Sequence, residues 1–317
     1  MAPKDLNYDV TRRETLIDPS EFYQQTVTRL EQIKAHVEEK TGNCLKGKVC
    51  IVTGAESLKG IGRATVMIYA REGAQHIYVL DKSTQNLPNL QFTVQSKYPG
   101  VKITCIAGDA ADEAAIKALC ARALVEEGRL DVFFANAGVA TATRLQDADP
   151  DVFMRTMRIN TLSCMLAIKH ASAAMMNTNL GKTLSGGSII LTASSKTTAG
   201  IRSGAGPLDY SASKAAVNSL AQTGASQLAN TNVRVNSICP GLTETGMTES
   251  AFEYARNRGT IGKVGQLNPL GRFAIAEEIA QVALFFASDQ SSYVNGQTLA
   301  VDGGHSASLP VMPGRWM

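Results

Sequence analysis

The sequence predicts an α/β domain built on a doubly wound parallel sheet of about seven strands, with helices on both faces. Short apolar segments rich in β-branched residues alternate with helix-length segments from about residue 47 onward. Their nearly continuous apolar character is typical of strands that are covered on both faces. The regular alternation indicates parallel pairing, because a crossover between parallel strands is usually a helix.

The predicted elements follow one another without an internal repeat. The strand patterns lie at residues 48–53, 76–80, 101–107, 131–135, 188–193, 233–239 and 297–301. The helical patterns lie at residues 62–72, 113–127, 152–176, 210–229 and 277–287. A further helix fits between residues 80 and 101, but Pro88 is expected to interrupt it.

Residues 1–46 do not follow this alternation and are predicted to form a helical extension. A typical helix start at Asp18-Pro19-Ser20-Glu21 precedes apolar residues at helical spacing. These are Tyr23, Val27, Leu30, Ile33 and Val37. We expect one amphipathic helix that packs on the main domain or on a neighbouring subunit, because the stripe is too short for a coiled coil. The main domain then covers residues 47–305, and a C-terminal tail covers 306–317.

Composition and charge exclude several classes of protein. Apolar residues make up 44% of the chain and charged residues 19%, which is typical of a globular protein. The formal net charge of +3 is too small to indicate a nucleic-acid partner. No apolar segment approaches the roughly 20 residues of a membrane helix, and the cysteines and histidines lack metal-site spacing. The first residues show neither a secretory signal nor a transit peptide, so we expect a cytoplasmic protein with reduced thiols.

A glycine-rich turn after the first strand, the cradle (residues 54–62), predicts a Rossmann-type phosphate site. Gly54, Gly60 and Gly62 let the backbone turn sharply and approach a pyrophosphate closely. The following helix N-terminus offers that anion free N–H groups and the positive end of its dipole. Asp81 ends the second strand, where a carboxylate can bind the adenosine ribose and repel a 2′-phosphate. This pattern favours NAD over NADP.

Several further motifs follow the cradle in a fixed order. They are Asn136-Ala137-Gly138, Tyr210-Ser211-Ala212-Ser213-Lys214, Pro240-Gly241 with Thr245, Pro269-Leu270-Gly271-Arg272, Ala287-Ser288-Asp289 and Val301-Asp302-Gly303-Gly304. In these motifs the chain resembles the short-chain dehydrogenase/reductase family over residues 47–305. It departs from the family's T-G-x-x-x-G-x-G pattern by two residues inserted between Gly54 and Gly60. The loop between Ser195 and Tyr210 is also longer than the common form.

Tyr210 and Lys214 are four residues apart on a predicted helix and therefore share one face. An ammonium group near a phenol, together with the positive nicotinamide, favours the phenolate, so the tyrosine can exchange a proton with a substrate oxygen. The resemblance implies that Lys214 also binds the nicotinamide ribose, that Ser195 polarises the carbonyl, and that Asn160 holds a water of a proton relay. Ser194 is the alternative to Ser195 if the longer loop shifts the register.

The resemblance also implies a cofactor site that extends over several loops. Asp109 corresponds to the family residue near the adenine ring, and Thr243 and Thr245 would bind the carboxamide or the pyrophosphate. The complete set is Gly54, Ser57, Lys59, Gly60, Ile61, Asp81, Asp109, Ala110, Asn136, Ala137, Gly138, Tyr210, Lys214, Pro240, Gly241, Thr243 and Thr245. Lys59 occupies a place where NADP-dependent members often carry a basic residue, so NAD(H) is favoured and NADP(H) stays open.

The expected activity is a hydride transfer between NAD(P) and a secondary alcohol or ketone, in a homodimer or homotetramer without a metal. The alternative is a nucleotide-binding scaffold or sensor that has lost its chemistry, which the complete set of catalytic residue types argues against. An enoyl reductase is disfavoured, because that branch usually spaces its tyrosine and lysine more widely. The lid segment (residues 242–266) is expected to close over the substrate, with Met247, Phe252 and Tyr254 either lining a pocket or facing the core.

Overall fold

The computed structural model describes residues 42–141, 145–195 and 206–307, and within the N-terminal extension residues 23–24, 26–28, 30–31 and 34. The longer loop predicted before Tyr210 falls mostly in residues 196–205, and most of the C-terminal tail falls in residues 308–317. Both of these predictions therefore lie outside the described residues.

A parallel sheet of seven strands forms the centre of the molecule, which confirms the predicted fold class. Nine strands are described, namely β1 (Val49–Thr53), β2 (His76–Asp81), β3 (Lys102–Ala107), β4 (Val132–Ala135), β5 (Gly187–Thr192), β6 (Val233–Pro240), β7 (Thr243–Glu244), β8 (Ala274–Ile275) and β9 (Thr298–Val301). The central order is β3-β2-β1-β4-β5-β6-β9, while β7 and β8 form a separate pair. The winding direction changes between β1 and β4, so a crevice opens at their carboxyl ends.

Helices cover both faces of this sheet. They are α1 (Ile61–Arg71), α2 (Leu87–Lys97), α3 (Glu113–Glu127), α4 (Pro150–Met157), α5 (Ser163–Met175), α6 (Leu208–Gln227), α7 (Glu249–Asn257) and α8 (Ala276–Ala287). α1, α2 and α8 contribute to one apolar layer, and α3, α5 and α6 contribute to the other. Alternate residues of β1 enter the two layers, with Cys50 and Val52 in the first and Val49 and Ile51 in the second. This double burial explains why the strand is apolar throughout.

Two helices differ from their sequence patterns. Pro88 does not interrupt α2 but lies in its first turn, where a missing N–H costs nothing and the fixed φ suits the helix. The helix expected over residues 152–176 is divided by a π-helical turn, Arg158–Leu162, which separates α4 from α5. Such turns insert an extra residue into the hydrogen-bond ladder and often occur at functional sites. Asn160 lies within this turn.

The described part of the N-terminal extension packs on the main domain through Leu30. Its described residues between 23 and 34 are helical, and Leu30 is buried in a cluster with Phe252 and Phe273. The two phenyl rings meet edge to face, with 4.9 Å between their centroids. The contact of Leu30 with these rings corresponds to packing on the main domain, which is one of the two placements expected for the amphipathic helix.

The described residues contain neither a candidate membrane-spanning helix nor a cluster of metal ligands. None of their helices joins enough length with enough apolar character to span a bilayer. No three of their His, Cys, Asp or Glu side chains come together as a set of metal ligands. All six cysteines are described, and each is a free thiol. Burial raises the pKa of Cys105 and of Cys239 to about 11, so both remain protonated near neutral pH.

A buried lysine joins three chain segments at the amino end of the sheet. The ammonium group of Lys182 donates hydrogen bonds to the carbonyl oxygens of Leu130 at 2.7 Å, Met175 at 2.8 Å and Gly186 at 2.8 Å. It also lies 3.9 Å from Asp131. Since Met175 ends α5, the charge also complements the negative end of that helix dipole.

We expect Lys182→Met to lower the free energy of unfolding by about 3 kcal/mol, because it leaves three buried carbonyl groups without their charged donor. Urea denaturation followed by circular dichroism would measure the change. The matched control is Lys169→Met, which removes an exposed ion pair with Glu113 and should cost less than about 1 kcal/mol. An equal effect of the two substitutions would contradict a structural role for Lys182.

Candidate active site

The cradle lies at the carboxyl end of β1, where two glycines have no room for a side chain. Gly54 has a φ of +73°, and a Cβ there would lie 2.6 Å from Cα of Ala137. A Cβ on Gly62 would lie 2.2 Å from the carbonyl oxygen of Gly54. Both distances are far inside van der Waals contact with backbone atoms. The loop therefore keeps its tight path only with glycine at these two positions.

The N-terminus of α1 suits a phosphate group. Its N-cap, Gly60, has no side chain to bind the first N–H groups, and the first turn contains no acidic residue. The positive end of the helix dipole is therefore not neutralised by this helix's own side chains. Together with the narrow glycine loop, this end of α1 fits the pyrophosphate of a dinucleotide.

Two acidic residues, Asp81 and Glu56, are joined at the end of β2 through the backbone of Glu56. Asp81 Oδ2 accepts a hydrogen bond from the backbone N–H of Glu56 at 2.9 Å, and Oδ1 accepts one from Ser83 at 3.1 Å. Glu56 Oε1 accepts hydrogen bonds from the backbone N–H of Asn86 at 3.1 Å and from its Nδ2 at 2.7 Å. Glu56 belongs to the lengthened cradle, and no motif in the sequence points to it. Its position beside Asp81 is set by the tertiary path of the cradle.

The rest of the lengthened cradle contacts the lid segment. Lys59 Nζ lies 3.5 Å from Glu249 Oε1 in α7, and both side chains are about half exposed. A Cβ on Gly246 would lie 2.5 Å from Ser57 Oγ, so this serine sits directly against the lid backbone. Ser57 and Lys59, which the sequence assigns to the cofactor, thus already have protein neighbours in the lid.

Asp109 lies just beyond the carboxyl end of β3. Its Oδ1 accepts a hydrogen bond from the backbone N–H of Ala111 at 2.8 Å, and its Oδ2 accepts one from Arg158 Nη1 at 3.1 Å. Burial raises the pKa of Asp109, but the N–H of Ala111 and the Arg158 guanidinium outweigh burial and hold this pKa below its ordinary value. The carboxylate is therefore ionised. The neighbouring Ala110 is buried in the sheet layer.

Asn136 connects the carboxyl ends of three central strands. Its Nδ2 donates to the carbonyl oxygen of Gly54 at 2.8 Å, and its Oδ1 accepts from Thr192 Oγ1 at 3.2 Å. Its backbone N–H and that of Ala137 both donate to Thr53 Oγ1, at 3.1 Å and 3.2 Å. The cradle, β4 and β5 are thereby held in register around the crevice.

Tyr210 and Lys214 lie one turn apart on α6, as their spacing predicts. Lys214 Nζ is 5.8 Å from the centroid of the Tyr210 ring and donates a hydrogen bond to the carbonyl oxygen of Thr192 at 2.7 Å. Lys214 is only 3% exposed, so its charge is weakly screened by solvent. A Cβ on Gly138 would lie 3.3 Å from this Nζ and 3.2 Å from Asn160 Oδ1. Gly138 therefore leaves space in which the lysine and the asparagine approach each other.

The amide of Asn160 is fully engaged with the protein. Oδ1 accepts from the backbone N–H of Val139 at 2.8 Å, while Nδ2 donates to the carbonyl oxygen of Val139 at 3.0 Å and to Ser213 Oγ at 3.0 Å. These bonds join the π-helical turn to the Asn136-Ala137-Gly138 loop and to α6. The water relay through Asn160 stays a prediction.

The two serines considered from the sequence follow β5 directly. Ser194 and Ser195 are both buried, and Ser195 is the last described residue before position 206. The carbonyl group of Thr192 at the end of this strand accepts the hydrogen bond from Lys214. The strand end that carries the serines is therefore fixed to the helix that carries Tyr210 and Lys214.

The threonines after Pro240-Gly241 bond within their own turn. Thr243 Oγ1 donates to the carbonyl oxygen of Gly241 at 3.3 Å, and Thr245 Oγ1 lies 3.3 Å from Thr248 Oγ1. Gly241 packs so closely that a Cβ would lie 2.6 Å from Cα of Asp302. The turn is thus fixed against the end of β9.

The apolar side chains of the lid segment divide between the core and the surface. Phe252 is buried against the N-terminal helix and the β8 region, so it faces the core rather than a substrate pocket. Met247 is 51% exposed and Tyr254 is 62% exposed. Of the three side chains, only Met247 and Tyr254 are free to meet a ligand from this position.

Comparisons with known proteins agree with this geometry. The family model described as Enoyl-(Acyl carrier protein) reductase matches residues 54–306. The chain is 36% identical over 263 residues to the 3-oxoacyl-[acyl-carrier-protein] reductase FabG of Thermotoga maritima, covering 82% of this chain and 98% of that protein. It is 35% identical over 274 residues to (+)-borneol dehydrogenase 1 of Salvia officinalis, covering 84% and 96%. It is 34% identical over 267 residues to the 3alpha-hydroxysteroid dehydrogenase of Mediterraneibacter gnavus, covering 82% and 97%.

Solved structures show the same similarity over the whole main domain. The crystal structure of levodione reductase superposes with a TM-score of 0.73 at 28% identity, covering 84% of this chain and all of the other (100%). A short-chain type dehydrogenase/reductase from Mycobacterium marinum gives a TM-score of 0.71 at 30% identity, covering 83% and 97%. The cradle, the Tyr210–Lys214 pair and these relatives lead to one conclusion: the chain belongs to the short-chain dehydrogenase/reductase family of NAD(P)(H)-binding oxidoreductases.

Proposed function

We propose that the protein interconverts a secondary alcohol and a ketone, with Tyr210 as the general acid and base. The observation that carries this proposal is the buried ammonium group of Lys214, 5.8 Å from the centroid of the Tyr210 ring. A buried cation near an oxygen attracts the negative charge that develops there while a proton is transferred. A scaffold that only binds a nucleotide has no need for a tyrosine beside this lysine, at the carboxyl ends of β1, β4 and β5.

In this proposal the chain's own residues bind the cofactor and move a proton. The cradle and the N-terminus of α1 bind the pyrophosphate, Asp81 binds the adenosine ribose, and Lys214 binds the nicotinamide ribose. When bound, the nicotinamide supplies or accepts the hydride. Tyr210 donates its phenolic proton to the substrate oxygen in the reducing direction and removes it in the other. Ser195 donates a hydrogen bond to the same oxygen and stabilises its developing charge.

A substrate panel tests the proposal directly. The full chain is mixed with NADH or NADPH and with a borneol-derived ketone, a 3-oxosteroid, a 3-oxoacyl thioester and an enoyl thioester, and absorbance of the reduced nicotinamide is followed. The first three compounds correspond to the activities for which the relatives are named, and the last corresponds to the description of the family model. Turnover of a carbonyl compound is expected. Cofactor binding without turnover on any compound would instead support the scaffold alternative.

We further propose that NAD(H) is the preferred cofactor. Asp81 and Glu56 place two carboxylates at the end of β2, where a 2′-phosphate would meet their negative charge. Lys59 already faces Glu249 at 3.5 Å, and an exposed lysine of this kind would contribute at most about 1 kcal/mol to an ion pair with a 2′-phosphate. The carboxylates therefore outweigh the lysine, which leaves NADP(H) as the disfavoured cofactor.

The wild-type protein should show at least about tenfold higher kcat/KM with NADH than with NADPH, which corresponds to about 1.4 kcal/mol. Asp81→Asn keeps the shape and the acceptor for Glu56 but removes the charge, so it should raise kcat/KM for NADPH. Asp147→Asn, on the exposed surface, is the control and should change neither value. A clear NADPH preference in the wild type would mean that Lys59 prevails.

Location and assembly complete the proposal. The family membership and the sequence features favour a cytoplasmic protein that assembles as a homodimer or homotetramer. Its partner in the reaction is a small-molecule alcohol or ketone.

A further inference from the structure

Asp209, the residue immediately before Tyr210, is a buried carboxylate with partners on two other elements. It is 6% exposed and lies in the first turn of α6. Its Oδ1 accepts a hydrogen bond from Thr141 Oγ1 at 2.6 Å, and its Oδ2 accepts one from Thr156 Oγ1 at 2.7 Å. The two threonines are 68 and 53 residues away along the chain. One side chain therefore ties three distant segments together.

Each of these segments also carries part of the proposed active site. Thr141 follows Gly138, whose position leaves room for Lys214 and Asn160. Thr156 lies in the last turn of α4, directly before the π-helical turn that holds Asn160. Asp209 itself precedes Tyr210. A movement of any of the three segments would therefore displace the residues that would transfer the proton.

The chemistry of the carboxylate supports a fixed geometry. Burial raises the pKa of Asp209, but hydrogen bonds from Thr141, Thr156 and the N–H groups at the start of α6 outweigh burial and keep this pKa below its ordinary value. The group is therefore ionised near neutral pH. Hydrogen bonds to an ionised acceptor are shorter and stronger than neutral ones and restrict the direction of both donors. An apolar side chain would fill the same space without fixing the two hydroxyl groups.

We propose that Asp209 is a positioning residue, whose two hydrogen bonds hold the 136–141 loop and α4 in the arrangement that Tyr210 needs. The inference rests on the proposed function. The two bonds have separable roles, because they fix different segments. The bond to Thr141 fixes the loop that borders the crevice and should affect how the ketone binds. The bond to Thr156 fixes the base of the π-helical turn and should affect the rate of the chemical step.

Single substitutions separate the two roles in steady-state kinetics of the full chain with saturating cofactor. Thr141→Val should raise KM for the ketone about tenfold with little change in kcat, because the loop that borders the crevice loses its anchor on Asp209. Thr156→Val should lower kcat about tenfold with a smaller change in KM. Thr141→Ser and Thr156→Ser keep the hydroxyl and should remain close to the wild type. Asp209→Asn should show both defects.

A control and a second readout complete the test. Thr93→Val removes an exposed hydroxyl that bonds only within α2 and should change neither constant. Hydrogen–deuterium exchange at Val139 needs no turnover and should be faster in Asp209→Asn and Thr141→Val. Unchanged kcat, KM and exchange in the Asp209 variant, even with a lower Tm, would overturn the inference. If the wild type turns over no compound of the panel, the proposed function fails, and exchange at Val139 alone decides whether Asp209 holds the loop.

Discussion

Replacing Tyr210 with phenylalanine is expected to lower kcat by at least about 100-fold while the affinity for the cofactor stays nearly unchanged. The substitution removes one oxygen and its proton but keeps the ring, so the packing of α6 is preserved. Lys214 keeps its hydrogen bond to the carbonyl oxygen of Thr192. The cradle and Asp81 are not in this part of the site. This variant should therefore lose turnover while it keeps its affinity for the cofactor.

The measurement combines turnover on the best compound of the panel with cofactor Kd from fluorescence. Tyr293→Phe is the matched control, because Tyr293 is fully exposed and lies before the amino end of β9, at the end of the sheet opposite the crevice. The control should stay within about twofold of the wild type. A Tyr210→Phe protein that keeps more than about a tenth of the wild-type kcat would remove Tyr210 from the role of general acid.

The parts of the fold that follow from local pattern were predictable from the sequence. Each strand of the central sheet is a short apolar run between polar turns, and two cradle glycines, Gly54 with its positive φ and Gly62 with its contact to the carbonyl oxygen of Gly54, have a reason within the cradle itself. The expectation for Pro88 is wrong because proline disrupts a helix interior but suits the first turn, and the sequence pattern does not show where this helix begins. The strands β7 and β8 contain two residues each, which is too short to leave a pattern.

The parts of the site that depend on tertiary contact were not predictable. Glu56 reaches Asn86 across 30 residues, and Asp209 reaches Thr141 across 68. Neither sequence separation corresponds to the periodicity of a helix or a strand. The π-helical turn at Asn160 also lacks a sequence signal, since a polar residue in an apolar helix is compatible with an ordinary buried hydrogen bond. The sequence is compatible with Phe252 in a pocket or in the core, because its contact with Phe273 is a tertiary one that leaves no local pattern.

Gly62→Ala should weaken cofactor binding by about 100-fold or more, equivalent to about 2.7 kcal/mol. The added Cβ would lie 2.2 Å from the carbonyl oxygen of Gly54 and 2.9 Å from Asn136 Nδ2. The carbonyl oxygen is a backbone atom that cannot rotate away, so the cradle itself must shift. That shift would move the N–H groups of α1 out of reach of the pyrophosphate and break the hydrogen bond between Asn136 and Gly54.

Isothermal titration with NADH would give Kd for this variant, and circular dichroism would show that the fold persists. Gly100→Ala is the matched control, because a Cβ at Gly100 meets nothing within 4 Å, and its Kd should equal that of the wild type. If Gly62→Ala folds and binds NADH within about threefold of the wild type, the pyrophosphate does not lie on this loop. A loss of binding confined to Gly62→Ala would instead place the phosphates at the cradle and the N-terminus of α1, because the added Cβ meets the cradle at Gly54.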